Sequence, residues 1–213
     1  MDKSLEKVVL PKFDKEKYFK DAEAVLAQRK TVEEVADKVC EEGFSNIVLL
    51  GIGGTEFELG PIEYQIKKYS NIDVELVNAA DANTVHPKKI TKDTLVITAS
   101  ASGDTVEIVE AAKWIVEIGA HVVAFTKKEK PLGQIVQTVI EAEVTTGGCE
   151  FSYVLFDLLA FRILHNKGTF PKYEQFAKGM DGIFQNLYDI RVQFDDRAEK
   201  IAKAYYNAPY SIF

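Results

Sequence analysis

The sequence predicts an α/β chain on a doubly wound, five-stranded, mostly parallel sheet of order 2-1-3-4-5, with helices on both faces. Three observations carry this expectation. Short apolar runs at 46–50, 94–97 and 121–125 hardly alternate, as in strands covered on both sides. Segments with apolar residues at three- and four-residue steps separate them, the βα alternation of a parallel sheet. Glycine- and hydroxyl-rich turns close the first and third runs and lead straight into helices.

The elements follow in order. Residues 1–15 are charged, contain Pro11 and read as an irregular arm. Residues 18–30 read as a helix. Thr31-Val32-Glu33-Glu34 has the form of a capping box and should open a second helix, running to about Glu42 and stopped by Gly43. Asn46-Ile47-Val48-Leu49-Leu50 is the first strand. After Gly51-Ile52-Gly53-Gly54, a second capping box, Thr55-Glu56-Phe57-Glu58, should open a helix to about Lys68. Residues 73–77 and 94–98 form strands two and three. A helix over 105–118, a fourth strand at 121–125, a helical turn at 131–136 and a fifth strand at 139–144 complete the alternation.

Gly147-Gly148 then leads into an apolar helix at about 151–164, and Lys167-Gly168 with Pro171 marks a break. Beyond it, Phe176, Met180, Ile183, Leu187, Ile190, Phe194, Ile201 and Tyr205 recur at helical steps, with Asp195-Asp196 as a possible restart. Such a stripe reads first as intramolecular core and second as a partner surface. Tyr210-Ser211-Ile212-Phe213 reads as a strand just beginning, so the chain looks either truncated or as though it lends an edge strand. The expected organisation is an N-terminal arm and helices at 1–38, the α/β domain at 39–168, and a helical linker at 169–213 ending in that strand.

At 213 residues with a formal charge of −7, the chain would repel a nucleic-acid backbone, which excludes nucleic acid as an expected partner. Cys40 and Cys149 have no metal-ligand spacing, the N-terminus does not resemble a signal peptide, and no apolar run approaches membrane-spanning length. The expected setting is cytoplasmic and reducing, without a membrane partner. Three scattered histidines, His86, His121 and His165, lack carboxylates at ligand spacing, so neither a metal nor any other cofactor is expected.

The third strand ends in Ser100-Ala101-Ser102-Gly103-Asp104-Thr105. A strand, a tight hydroxyl turn and a helix start make an anion site, because first-turn N–H groups lack intrahelical partners and the macrodipole favours negative charge. The plainer alternative makes Ser102 a helix cap. In a 2-1-3-4-5 sheet, ligands sit beyond the carboxyl ends of strands 1 and 3, where the order reverses. There the turn from Gly51 to Thr55 would meet the turn from Ser100 to Thr105, and a phosphate is the expected ligand. Gly51-Ile52-Gly53-Gly54-Thr55-Glu56 starts like a dinucleotide fingerprint but places Glu56 where the third glycine belongs. No G-x-x-x-x-G-K-[ST] occurs.

These residues resemble the sugar isomerase (SIS) domain. Its S-x-S-G-[ED]-T turn stands here in full as Ser100-Ala101-Ser102-Gly103-Asp104-Thr105, its first turn more loosely as Gly53-Gly54-Thr55, and its S-P-L-[AG] turn as Lys130-Pro131-Leu132-Gly133. The resemblance covers roughly residues 39–164, and the flanking helices are similar to the N-terminal half of two-domain phosphosugar isomerases and fructosamine-6-phosphate deglycases. It implies that Ser100, Ser102 and Thr105 hold a sugar phosphate with the N–H groups of Gly103 and Asp104, and that Gly53, Gly54 and Thr55 lie near the sugar. Ala101 stands where other members carry a polar residue. The ligand implied is a phosphorylated sugar or a sugar–amine adduct, and the assembly implied is a homodimer.

Isomerisation or deglycation needs a base and an acid active near neutral pH. Glu56 and Glu150 are the carboxylates expected nearest the site, and each reads equally as a first-turn acid complementing a helix dipole. The family's catalytic E-x-x-H-G-P motif is absent from these 213 residues. Two readings therefore stand: the phosphosugar-binding half of an isomerase or deglycase-like enzyme, or a non-catalytic phosphosugar sensor.

Overall fold

The structure is a computed structural model that describes residues 13–141, 144–145, 148–205 and 208. The chain divides into two compact units, residues 1–173 and 174–213. In the first unit, strands β1 (Asn46–Gly51), β2 (Val74–Asn78), β3 (Thr94–Ala99), β4 (His121–Phe125) and β5 (Thr138–Ile140) form one sheet in the order β2-β1-β3-β4-β5. Every pairing is parallel, as the uninterrupted apolar runs predict. Leu50 stands level with both Val77 and Thr98, and Ala99 with Phe125, so the strands end along a common carboxyl edge.

Every residue of β1 and β3 is buried. Strand geometry sends alternate side chains to opposite faces. On one face Val48, Leu50, Val96, Val122 and Ala124 pack with buried residues of α4 (Ala79–Val85), α5 (Val106–Glu117) and α6 (Pro131–Ile135). On the other, α3 (Gly54–Tyr69) lies over β1 and β2 and packs against α7 (Cys149–Asn166), which also receives α1 (Lys15–Ala27) and α2 (Arg29–Glu42). Each fully buried Val, Leu or Ile adds about 1.5–3 kcal/mol, so the two central strands dominate the core. The polar groups admitted there are satisfied: the Thr98 hydroxyl donates to the Leu50 carbonyl at 2.8 Å, and that of Thr94 to Asn46 Oδ1 at 2.9 Å.

Several local expectations are corrected. The first helix starts at Lys15, because Asp14 caps it by accepting from the Lys17 N–H at 3.0 Å. The second starts at Arg29, ahead of the Thr31 capping box; Glu33 accepts from Arg29 at 2.7 Å and from the Tyr173 hydroxyl at 2.9 Å. Strand β5 is three residues long, shorter than the apolar run over 139–144. Helix α4 was not foreseen in the polar stretch after β2; the Asn78 side chain caps it, accepting from the Ala80 N–H at 2.9 Å. Gly147 and the strand expected from Tyr210 onward lie outside the described residues, as does most of the N-terminal arm.

The helices outside the alternation are bound to α7 by polar contacts. Arg162 grips Asp37 with Nε at 2.7 Å and an Nη at 2.9 Å, and Asn166 adds a third bond at 2.7 Å. The Arg162 hydrogen bonds hold the Asp37 carboxyl below the usual carboxylate range. A depressed folded-state value means that this stability is present above the ordinary carboxylate pKa and is lost as pH falls through the folded one. Because the pair is partly exposed, Asp37→Ala is expected to cost about 1 kcal/mol at neutral pH and almost nothing near pH 2. Urea unfolding at both pH values checks this, and a pH-independent cost would rule it out.

In the second unit, α8 (Tyr173–Met180) and α9 (Ile183–Tyr205) are separated at Asp181-Gly182, where a residue of high helix cost sits, and not at Asp195-Asp196. Phe184 is buried, but every residue of α9 from Asp189 onward is exposed, so this part of the stripe is not intramolecular core among the described residues. Among those residues no helix is long and apolar enough to cross a membrane.

Candidate functional site

The carboxyl edge of the sheet delivers two turns to one cleft. The first leaves β1 through Gly53, whose φ of 58° suits glycine, and enters α3 at Gly54. Thr55 therefore sits inside the first helical turn and does not cap it. The second leaves β3 and enters α5 with Thr105 at the N-cap. Between them lies a cleft of about 240 Å³ that Thr55 lines from one side and Ala99 and Ala101 from the other. The two turns, about fifty residues apart in sequence, thus share a cavity because β1 and β3 are neighbours in the sheet.

The second turn is held from within. The Ser100 N–H donates to Phe125 O at 3.0 Å, continuing the ladder, and Thr126 Oγ1 donates to Ser100 O at 2.9 Å. Ser100 Oγ, almost fully buried, accepts from the Gly103 N–H at 3.0 Å and shares a hydrogen bond of 3.1 Å with Thr105 Oγ1. The Leu132 N–H donates to Gly103 O at 2.9 Å, so the Lys130-Pro131-Leu132-Gly133 turn is a strut for the Ser100–Thr105 turn. Gly103 has φ 69° and is buried.

This geometry redistributes the sequence-predicted donors. Ser100 and the Gly103 N–H serve the turn itself. Ser102 is exposed and does not cap α5; its Oγ accepts from the Asp104 N–H at a long 3.5 Å. What the turn presents outward is the exposed Ser102 and the first-turn N–H groups of α5, which helix geometry leaves without intrahelical carbonyls, while the half-buried Thr105 shares its hydroxyl with Ser100 Oγ.

The floor of the cleft is apolar, formed by Phe125, Phe151, Leu155 and Phe156. Around it stand Glu58 from α3, Cys149 from the start of α7, and Lys127. Sequence reasoning overlooked Glu58, although three residues after Thr55 is the same face of a helix. The Cys149 thiol is pushed above its ordinary value, chiefly by its hydrogen bond with Glu58 and then by burial, which makes it a neutral donor and a poor nucleophile. Lys127, from the loop after β4, is a cleft residue as well.

Neither carboxylate named from the sequence is among the cleft-lining residues. Glu56 Oε2 accepts from Asn78 Nδ2 at 2.7 Å, tying α3 to the end of β2. Glu150 occupies the first turn of α7 beside Gly148 and Cys149, which do line the cleft. The loop before α7 is anchored by Asp21 of α1, buried, which accepts from the Thr145 N–H at 2.9 Å and its hydroxyl at 3.1 Å.

The histidines are spread through the fold. His121 bridges Glu42 Oε2 and Thr138 Oγ1, each at 2.8 Å; His165 pairs with Phe170 O at 3.1 Å; and His86, at φ 46°, lies 4.8 Å from the Trp114 ring. Among the described residues no three His, Cys, Asp or Glu side chains are grouped to hold a metal ion.

The chain matches no family model. It is 28% identical over 170 residues to the fructosamine deglycase FrlB of Bacillus subtilis (strain 168), a match covering 75% of this chain and 50% of the relative. It is 29% identical over 156 residues to the isomerizing glutamine–fructose-6-phosphate aminotransferase of Clostridium tetani (strain Massachusetts / E88), covering 69% of this chain and 24% of that one. Among solved structures, a Bacillus subtilis protein provisionally assigned as a phosphosugar isomerase superposes with a TM-score of 0.68 at 26% identity, over 78% of this chain and 52% of its own. The chain thus spans half or less of the length of the curated relatives it matches.

Proposed function

From the premise that this chain is a relative of the sugar isomerase (SIS) domain proteins and shares their fold, we propose that its cleft binds a phosphorylated sugar or a sugar–amine adduct. In this reading it acts as one half of an enzyme for aldose–ketose isomerisation or fructosamine-6-phosphate deglycation. The observation that supports it is the shared cleft: Thr55 and Ala101, from turns after β1 and β3, line one cavity at the switch point of the sheet.

The phosphate takes the hydroxyls of Ser102 and Thr105 and the amide end of α5, while Ser100, Gly103 and Asp104 shape the turn that presents them. Gly53, Gly54 and Thr55 face the sugar, and Lys127 adds positive charge at the rim. Ala101 leaves the sugar one polar contact short on that side. For the proton transfers of isomerisation or deglycation, the carboxylates on hand are Glu58 and Glu150, since Glu56 is engaged by Asn78. The second reading is a sensor that binds such a ligand without turning it over.

A thermal-shift series of sugar 6-phosphates against their unphosphorylated counterparts tests the proposal. Only the phosphorylated members should raise the melting temperature, because a ligand of the native state stabilises it by mass action. Ser102→Ala combined with Thr105→Ala removes two hydrogen bonds to a charged group, each about 1.5–3 kcal/mol, so affinity by calorimetry should fall about 100-fold or more. Unchanged affinity would reduce both residues to turn formers. A shift without turnover of the same sugars would select the sensor.

A further inference from the structure

We propose that Asp157 and Gln65 form a proton-operated clasp between α3 and α7. In it the protonated Asp157 carboxyl donates to the Gln65 side-chain carbonyl, and loss of that proton to solvent loosens the joint behind the cleft. The two helices run side by side in the same direction, away from the cleft, and meet at three levels. Glu58 and the Cys149 thiol are hydrogen-bonded at the cleft, Gln65 Nε2 donates to Asp157 Oδ1 at 3.0 Å in the middle, and the rings of Tyr69 and Phe161 lie 5.8 Å apart at the far end. Thr55 and Glu58 on α3, and Phe151 and Leu155 on α7, line the cleft, so the clasp ties two of its walls together.

The middle level is incomplete while Asp157 is ionised. Gln65 Oε1 is buried and accepts no hydrogen bond among the described residues, whereas the amide nitrogen beside it is committed to Asp157. A buried acceptor left without a donor carries its desolvation penalty uncompensated. A carboxylate only accepts and cannot supply that donor; a carboxylic acid has one O–H and can. With the proton in place, acid and amide exchange two hydrogen bonds, Nε2–H to Oδ1 and Oδ2–H to Oε1, and both groups are satisfied. The surroundings favour the acid. Burial pushes the Asp157 carboxyl above the ordinary carboxylate range, against the opposing pull of the Gln65 N–H. The lysines and the arginine of the two helices are engaged elsewhere: Lys67 with Glu63, Lys68 over the rings of Tyr64 and Tyr69, and Arg162 with Asp37 of α2. Asp21 of α1 is taken by Thr145, and Tyr153, one turn back on α7, feels both Asp157 and Glu58, so neither brings positive charge to the pair.

Between the ordinary aspartate pKa and the raised folded-state one, the native chain binds more protons than the unfolded chain. Stability from this group therefore falls as pH rises through that window and is level above it. Carbon-13 NMR of the Asp157 carboxyl in the wild-type chain, assigned through its own backbone, should show it titrating later than an ordinary aspartate. Asp157→Asn puts in its place an amide that makes the same two bonds and has no proton to lose. Its melting temperature should match the wild type within about 1 °C at about pH 4 and exceed it by about 2–4 °C at about pH 8. At the higher pH, the amides of α3 around Gln65 should exchange several-fold more slowly in the variant than in the wild type. An Asp157 that titrates at or below the ordinary value would overturn the proposal, as would an Asn variant less stable than the wild type by the same amount at both pH values. Equal exchange of α3 in the two proteins would overturn the link from the proton to the joint.

Discussion

Gly103→Ala is expected to abolish measurable sugar-phosphate binding while leaving the sheet folded. Alanine disfavours the left-handed conformation at φ 69°, at a cost of about 1–2 kcal/mol. Its new Cβ would also collide with Lys130 Cβ and lie 2.8 Å from Thr126 Oγ1. Both neighbours are committed: Thr126 to Ser100 O, and Lys130 to the turn whose Leu132 N–H bonds Gly103 O. The chain at 103 must therefore shift, displacing Ser102 and Thr105 on either side of it. Losing the aim of two charge-assisted bonds removes about 3 kcal/mol or more, a drop in affinity exceeding 100-fold. Calorimetry with the sugar phosphate that gives the largest thermal shift reads the outcome. Wild-type affinity in a folded Gly103→Ala protein would show that the turn does not carry the ligand.

The second large effect is on stability. Phe156 is 1% exposed, packs edge-on against Phe125 with ring centroids 4.7 Å apart, and forms part of the cleft floor. Phe156→Ala removes an aromatic side chain from a site hemmed in by β4 and α7, where the backbone cannot collapse to refill the space. The expected loss is about 3–5 kcal/mol. For a domain of this size the melting temperature should fall by about 10 °C or more. Because the phosphate donors lie on α5 and its turn, affinity should change far less than for Gly103→Ala. A loss below about 1 kcal/mol would mean that the floor is loosely packed.

Much of this protein was legible in its residues, for reasons that are local. The runs of β1, β3 and β4 announce burial on both faces because apolar residues occupy both alternating sets of positions, and that alone demands helices on two sides of a parallel sheet. The helix boundaries were less legible. The capping boxes at Thr31 and Thr55 offered a start, but α2 begins at Arg29 and α3 at Gly54, so both threonines lie inside the first helical turn and cap nothing. Helix α4 escaped notice because seven residues hold too few apolar positions to display a period.

What the sequence by itself determined is the order of the strands, the longer helices between them and the two hydroxyl-rich turns, since periodicity and turn chemistry act over a few residues. What only the tertiary structure decided is who meets whom. Parallel pairing of β1 with β3 puts Thr55 and Ala101 on one cleft, α3 turns Glu58 toward that cleft while Glu56 is held to β2, and Ser100 is spent inside its own turn. Burial of the α9 stripe was likewise undecidable from its spacing, because a period of 3.6 reports that a face is apolar and not what covers it.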